Sequence, residues 1–272
     1  MQDFSATPRE MLASAYRNRG LILALIKREV IGRYRGSFMG LLWSFLNPLL
    51  MLAVYTFVFS FVFKARWNIN SDSKSEFALI LFAGLMVFNV FAECAQKSPS
   101  LIISNINYVK KVVFPLEILP WVTIGASLFH ALISCAVWLA AFMIFFGLPH
   151  ATALYLPLVI LPLVLFIMGL SWALASLGVY LRDVSQFMGI LTTTLMFVSP
   201  IFYPATALPE EYRQLLYMNP LTPIIEQTRT VLFWGQMPDF LMLGELTAAA
   251  AIIAWLGFYW FQKTRKGFAD VL

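Results

Sequence analysis

Six long runs of apolar residues, separated by shorter polar segments, organise this chain. In a helix that rises 1.5 Å per residue, about 20 apolar residues cross the roughly 30 Å hydrocarbon core of a membrane. The runs lack the strict alternation of apolar and polar positions that a membrane β-barrel requires. The pattern therefore predicts six membrane-spanning helices, at residues 41–63, 77–95, 118–147, 153–180, 187–203 and 241–261.

The first 40 residues contain two helical stretches that are too polar to span a membrane. Thr7, Pro8 and Glu10 have the spacing of a helix start, with Thr7 as the N-cap and Glu10 closing a capping box, and we expect Gly20 to end that helix. Residues 21–35 mix apolar side chains with Lys and Arg, which is typical of a helix that lies in the membrane interface. A solvated cytosolic helix is the alternative.

Two connecting segments also carry apolar residues. Residues 96–116 predict a short amphipathic helix that offers an apolar and basic surface to a cytosolic partner, and a helix resting on lipid head groups is the alternative. Residues 204–240 predict short re-entrant or interfacial helices, separated by the two prolines of residues 219–223. A plain outer loop is the alternative there.

Composition supports the membrane interpretation and narrows the chemistry. The chain is 60% hydrophobic, 16% aromatic and only 12% charged, whereas soluble proteins have roughly a quarter of their residues charged. A soluble enzyme and a disordered chain are therefore excluded. With two cysteines and two histidines, we expect neither a disulfide framework nor a metal site. The predicted fold class is an all-α polytopic membrane protein.

The basic residues are distributed unevenly between the two sides of the predicted spans. Most of the 19 Lys and Arg side chains lie before the first run, in the second and fourth links, and after the last run. Because positive residues near span ends are retained on the cytoplasmic side, both termini are predicted to be cytoplasmic. The net charge of +5 then indicates topology and contact with membrane lipids, and nucleic-acid binding loses its support.

The runs contain no set of residues suited to catalysis. Gly257 with Gln262-Lys263-Thr264 matches a phosphate loop only in part and lies in the last run, so we expect no nucleotide site. The ionisable residues in or near the runs are His130, Glu93 and Glu245. We interpret His130 as a packing residue. We therefore expect no catalytic residue and no cofactor on this chain.

Several motifs together resemble a known family, the membrane permease subunit of bacterial ABC exporters for surface polysaccharides, within the type-two ABC transporters. Their order and combination carry the resemblance over nearly the whole chain. The motifs are residues 27–29, 33–37, 40–49, 105–117, 180–184, 219–223 and 268–272.

The resemblance implies a single permease domain over residues 1–272, with an interface region at 1–40, six spans within 41–261 and a tail at 262–272. It implies a homodimer in the bacterial inner membrane, bound to two copies of a cytosolic subunit that carries ATP and Mg. The substrate would be a lipid-linked polysaccharide that passes between the protomers. O-antigen is preferred over capsular polysaccharide and teichoic acid.

The resemblance also assigns expected roles to particular residues. The residues expected to couple to the ATPase are Lys27, Arg28, Arg33, Arg35, Ser98, Asn105, Asn107, Lys110 and Lys111. The residues expected in the outer gate are Asn219, Pro220, Pro223, Glu226 and Arg229.

Aromatic residues supply candidates for the wall of a glycan channel, because the C–H faces of sugar rings suit aromatic surfaces. A lipid-facing, membrane-belt or core position is the alternative for each. The candidates are Tyr55, Phe59, Phe197, Phe202 and Tyr203.

Three other classes of protein are weighed against this interpretation. A membrane enzyme of glycan assembly needs catalytic charges, which are scarce in this sequence. A secondary transporter or channel is expected to show inverted repeats and intramembrane charges. An ABC exporter of drugs or lipids is disfavoured only by the motifs.

Overall fold

The computed structural model describes residues 5–58, 67, 74–110 and 114–272, and every regular element within these ranges is helical. Short 3-10 turns join several of the α-helices. The α-helices are α1 Pro8–Arg17, α2 Arg19–Arg33, α3 Trp43–Tyr55, α4 Lys74–Lys97, α5 Ile106–Lys110, α6 Leu119–Phe146, α7 Leu156–Tyr180, α8 Val184–Val198, α9 Glu210–Met218, α10 Leu221–Leu232, α11 Phe240–Thr264 and α12 Phe268–Val271.

Five helical segments in the described ranges are long and apolar enough to cross a membrane, and α8 is a shorter apolar helix. The predicted all-α polytopic fold is thereby confirmed. The five segments are Gly40–Val58, Ser75–Ser100, Leu116–Phe146, Ala151–Tyr180 and Phe240–Val271.

The fifth apolar run forms a shorter helix than residues 187–203 predict. Helix α8 begins at Val184 and ends at Val198 after 15 residues, because Pro200 favours an extended conformation at Ser199, where φ is −72° and ψ is 148°. At 1.5 Å per residue the helix is about 22 Å long, less than the hydrocarbon thickness.

The N-terminal helix starts where the sequence predicts. Pro8 occupies its first turn, and the Thr7 hydroxyl accepts a hydrogen bond of 3.2 Å from the Glu10 backbone N–H. The Glu10 side chain does not close the capping box, since its carboxylate forms an ion pair of 2.6 Å with Arg17.

The break after α1 lies at Asn18, so the prediction that Gly20 ends this helix is wrong. Asn18 leaves the helical conformation, and its amide donates to the Ser14 carbonyl at 2.8 Å. An asparagine side chain that binds a nearby main-chain carbonyl in this way competes with helix continuation. Gly20 lies in the first turn of α2, which buries Ile22 and Leu25 against the start of α6.

The link between α4 and α6 is not one amphipathic helix as predicted. It contains two 3-10 turns, Ser98–Ser100 and Ile103–Asn105, followed by the single turn of α5. The Ser100 hydroxyl donates to the Lys97 carbonyl, and the Asn105 amide donates to the Leu101 carbonyl. These side-chain bonds compete with a continuous α-helical pattern.

The segment after α8 folds into two short helices, as one of the two interpretations of residues 204–240 predicts. Helices α9 and α10 are separated at Asn219 and Pro220. Pro223 does not separate elements, because it lies in the first turn of α10, where a missing N–H leaves no hydrogen bond unmade.

Helix α4 forms the centre of the bundle, whereas α3 lies at its edge. Almost every α4 residue between Phe77 and Val90 is buried. In α3, by contrast, only Ser44 is buried. Helices α7 and α11 cross closely at a point where both have glycine residues. A Cβ atom added to Gly257 would lie 2.1 Å from the Gly169 carbonyl oxygen. Small residues allow this approach between membrane helices.

Helix α1 and the C-terminal helix α12 lie on the same side of the bundle. The Trp255 indole donates to the Ala6 carbonyl, and the Lys110 ammonium donates to the Leu272 carbonyl. We call this side, formed by α1, α2, α5 and α12 with the turns beside them, the terminal face. The opposite side contains residues 147–155 and 199–239, where Thr152 donates to the Val231 carbonyl at 2.7 Å. We call it the loop face.

Candidate functional site

A cavity of about 620 Å³ lies between α3, α4, α6 and α8, bordered at one end by the last turn of α2. Its lining residues on α4 run from Phe82 to Lys97, which corresponds to about 22 Å of helix. The end near the terminal face is polar and charged, and the deeper end contains Tyr55 and Met196. We call it the α3–α4 cavity.

Ion pairs join α2 to α4 at the charged end of this cavity. Arg33 Nη1 lies 2.7 Å from Glu93 Oε1, and Lys97 Nζ lies 3.0 Å from the same oxygen. Lys97 also contacts Glu29 Oε1 at 2.9 Å. Two cations therefore face two carboxylates, and the charges offset one another. Arg33, expected to couple to an ATPase, is thus half-exposed and held against a membrane-spanning helix.

Two aromatic rings close the same end of the cavity. Tyr34 and His130 meet edge to face, with ring centroids 5.9 Å apart. Burial raises the pKa of the Tyr34 phenol above its ordinary value, so Tyr34 remains a neutral donor at physiological pH. His130 also contacts Phe129 and lines the cavity, so it has the expected packing contacts and faces the open space as well.

The structure separates the aromatic candidates for a channel wall. Tyr55 lines the α3–α4 cavity. Phe197 and Phe202 stack on each other near the loop face, with centroids 5.8 Å apart, and Phe197 is 61% exposed. The Tyr203 hydroxyl donates to the Val198 carbonyl, and burial raises its pKa above the ordinary value. Phe59 lies outside the described residues.

Most residues expected to couple to an ATPase are exposed on the terminal face. Arg28 Nη1 donates to the Tyr108 hydroxyl at 2.8 Å, which joins α2 to α5. Asn105 is half-buried, and Lys111 lies outside the described residues. The exposed members are Lys27, Arg28, Arg33, Arg35, Asn107 and Lys110.

Ser98 differs from the rest of that set because it is fully buried. Its hydroxyl contacts the Cys94 carbonyl at 2.6 Å and the Ser171 hydroxyl at 2.9 Å. A Cβ added to Gly178 would lie 1.9 Å from the Pro99 carbonyl oxygen, so α7 passes directly against this turn. Ser98 therefore packs α4 against α7.

Glu117, which no sequence pattern singles out for a role, links its own segment to three other parts of the chain on the terminal face. Its carboxylate accepts hydrogen bonds from Ser14 at 2.9 Å and from Arg265 at 2.6 Å. Its carbonyl accepts from the Trp172 indole at 3.0 Å. In the sequence, the only indication of this contact is that Glu117 lies at the start of one apolar run and Arg265 lies just beyond the end of another.

Arg229, one of the residues expected in the outer gate, is fully buried beside the loop face. Its guanidinium donates to three main-chain carbonyls, those of Ile80, Pro200 and Ile201, and to Glu226 Oε1 at 2.8 Å. The Trp67 ring covers it, with the centroid 4.4 Å from Cζ. One side chain thus fixes α10 to α4 and to the segment after α8.

The other gate candidates divide between the core and the surface. The Asn219 amide donates to the Ser199 hydroxyl at 2.8 Å, and its oxygen accepts from the Leu221 backbone N–H. Pro220 is exposed, Pro223 is buried, and Glu226 is half-buried. Asn219 thereby caps the first turn of α10 with an Asx-type bond.

Within the described ranges, no group of three or more His, Cys, Asp or Glu side chains is close enough to hold a metal ion. Cys94 is buried and Cys135 is half-buried, and both are free thiols.

Comparison with known proteins finds relatives that align with almost the full length of the chain. The sequence model of the ABC-2 type transporter family matches residues 20–233. An O-antigen export system permease protein, RfbA of Myxococcus xanthus, is 29% identical over 262 residues, which are 96% of this chain and 98% of that protein. A protein of the same name from Klebsiella pneumoniae is 27% identical over 254 residues, covering 93% and 95% of the two chains.

Proposed function

The chain belongs to the ABC-2 type transporter family, and from that premise we propose that it is the permease of an ATP-driven exporter of a lipid-linked polysaccharide, with O-antigen as the preferred substrate. One observation carries this proposal: proteins named as O-antigen export permeases align with nearly the whole chain, 96% of it in one case and 93% in another. In this function the terminal face is cytoplasmic, and the chain spans the bacterial inner membrane with both termini inside.

A separate ATPase subunit, with bound ATP and Mg, would supply the energy. Its docking surface would be the exposed basic part of the terminal face, where Arg28 and Tyr108 join α2 to α5. Lys27, Arg35 and Lys110 extend the same surface and are exposed. Because α2 packs on the start of α6, a movement of the ATPase would be passed directly to a membrane-spanning helix.

Two copies of this chain would form the transport channel. Helix α3 is poorly covered within one copy, and α8 also exposes large apolar side chains. A second copy would cover part of these surfaces and leave a path between the protomers. The exposed apolar residues on the two helices are Phe45, Leu49, Leu50, Met51, Val54, Phe187, Ile190, Phe197 and Val198.

The polymer would move in steps through a continuous path, since a long hydrated chain does not fit an enclosed pocket. Aromatic residues such as Tyr55 and Phe197 would hold sugar rings without requiring one pattern of hydroxyl groups. Their contacts must be weak enough for the polymer to advance with each ATP cycle.

The test is deletion of the gene, followed by analysis of the lipid-linked glycans in the inner membrane. We expect a lipid-linked O-antigen to accumulate and to be cleared by the wild-type gene. Accumulated capsular polysaccharide or teichoic acid would assign the alternative substrate. If no lipid-linked glycan accumulates, the proposed function is wrong.

The same strain tests coupling through the terminal face. Lys110→Glu reverses a charge on the proposed docking surface, and Lys110→Arg keeps it. We expect the first variant to reduce both copurification of the ATPase and glycan clearance, while the second behaves like wild type. Equal copurification by the two variants would contradict docking at Lys110.

A further inference from the structure

Two asparagine side chains face the α3–α4 cavity at membrane depth. Asn47 lies in the segment Gly40–Val58 and Asn89 in Ser75–Ser100, and both side chains are exposed to the cavity. Among the described residues, neither amide has a hydrogen-bond partner. An unpaired amide within a membrane is costly, so each amide requires water or a bound polar group.

The charged groups of the cavity already neutralise one another. Arg33 and Lys97 are both paired with Glu93, and Lys97 reaches Glu29 as well. A free anion entering this end would have to compete with carboxylates at 2.7 to 3.0 Å. The cavity therefore favours a ligand with many hydroxyl groups and no charge.

The rest of the lining suits the same kind of ligand. Ser44 and Ser134 place hydroxyl oxygens on the wall, although each donates its proton to a main-chain carbonyl three or four residues earlier in the chain. Tyr55 and Phe88 add aromatic surface. The volume of about 620 Å³ lies within the range of roughly 300–1,000 Å³ that is usual for small-ligand sites.

We propose that the α3–α4 cavity is a saccharide-binding site, in which the amides of Asn47 and Asn89 bind hydroxyl groups of an uncharged sugar segment. An amide offers a donor and an acceptor together, which matches neighbouring hydroxyls on a sugar ring. The site rests on the proposed function and adds to it: hydrogen bonding from α3 and α4 recognises the sugar, besides aromatic stacking.

The direct test is saturation-transfer NMR on the purified full chain in lipid nanodiscs, with the neutral trisaccharide mannotriose as probe. We expect a transfer signal from wild type that falls at least fivefold in Asn47→Leu and in Asn89→Leu, which keep similar size and remove the hydrogen bonds. Gln236→Leu, an exposed amide on the loop face, is the matched control and should retain the signal.

Three outcomes would overturn the proposal. The first is an unchanged mannotriose signal in both leucine variants. The second is displacement of mannotriose by farnesyl phosphate, which has no sugar and would assign the cavity to the lipid anchor. The third is loss of self-association in the variants, since the amides would then pair between two copies. If a leucine variant fails to fold, Asn47→Ser and Asn89→Ser replace it with the same expected loss.

Export in the deletion strain separates this proposal from the proposed function. Variants that clear the accumulated glycan at the wild-type rate would refute the amide site and leave the exporter function intact. Absence of any accumulated glycan would refute the function itself.

Discussion

At the scale of single residues, the structure depends on a few polar side chains that each join distant parts of the chain. Glu117 is 103 residues from Ser14 and 148 from Arg265 in sequence, yet its carboxylate binds both. The side chains of Glu117 and Arg265 are only 9% and 12% exposed. Removing one partner from a buried ion pair costs about 3–5 kcal/mol, because the other charge is left uncompensated.

We expect Glu117→Gln to lower the melting temperature of the purified chain and to release α1 from the bundle. Trypsin should then cleave faster at Arg9 and Arg17, which lie in α1. Both effects follow from loss of the Arg265 ion pair and a weaker bond to Ser14. Glu211→Gln, an exposed residue of α9, should change neither. Wild-type melting and cleavage in Glu117→Gln would contradict the linking role.

At the scale of elements, the crossing of α7 and α11 depends on the absence of side chains. A Cβ on Gly169 would lie 2.3 Å from the Ile253 carbonyl oxygen, and a Cβ on Gly257 would lie 2.1 Å from that of Gly169. These are backbone atoms, so no side-chain rotation relieves the clash. Gly257, which resembled part of a phosphate loop, is therefore a packing residue.

Gly257→Val is expected to separate α7 from α11 and to reduce the amount of folded chain recovered in detergent severalfold. Gly244→Val in the same helix is the matched control, because a Cβ there meets nothing within 4 Å. The readout is the monodisperse fraction in size-exclusion chromatography. Similar recovery of the two variants would show that the close crossing is dispensable.

The accuracy of the sequence predictions differs between kinds of element for a physical reason. Long apolar runs predicted the ends of α4, α6, α7 and α11 to within three residues, because hydrophobicity and length are sufficient to define such helices. The broken link before α6 depends on the side-chain bonds of Ser100 and Asn105, which compete locally with the backbone. Such local competition produces no periodic pattern in the sequence, so the break in the helix could not be predicted.

The candidate site was less predictable than the fold, because its contacts join residues far apart in sequence. The basic character of α2 was evident, but the pairing of Arg33 and Lys97 with Glu93 depends on how α2 docks on α4 and α6. Similarly, aromatic content suggested Tyr55 and Phe197 as one surface, whereas the structure puts them in separate regions.

At the scale of the whole molecule, packing is uneven. Helices α4, α7 and α10 bury most of their residues, while α3 and α8 expose large apolar side chains. For any single exposed apolar side chain, contact with lipid is as good an explanation as contact with a second copy of the chain. In the proposed dimer, a second copy would cover this thinly packed edge, which has the polar α3–α4 cavity behind it.

Cross-linking tests this arrangement. In a Cys135→Ser background, Leu49→Cys on α3 should give a covalent dimer with a short bismaleimide in native membranes. Leu132→Cys on α6, which is 70% exposed, should stay monomeric because it would face lipid. Equal cross-linking at the two positions would indicate random collision and argue against a dimer through α3.

Arg229 also has a consequence for the order in which the chain is made. Every group that binds its guanidinium precedes it in sequence: Trp67, Ile80, Pro200, Ile201 and Glu226. Because synthesis runs from the N-terminus, all of these groups have left the ribosome before the arginine does. The Arg229 guanidinium can therefore bind its partners as soon as it is inserted, because none of these groups remains to be translated.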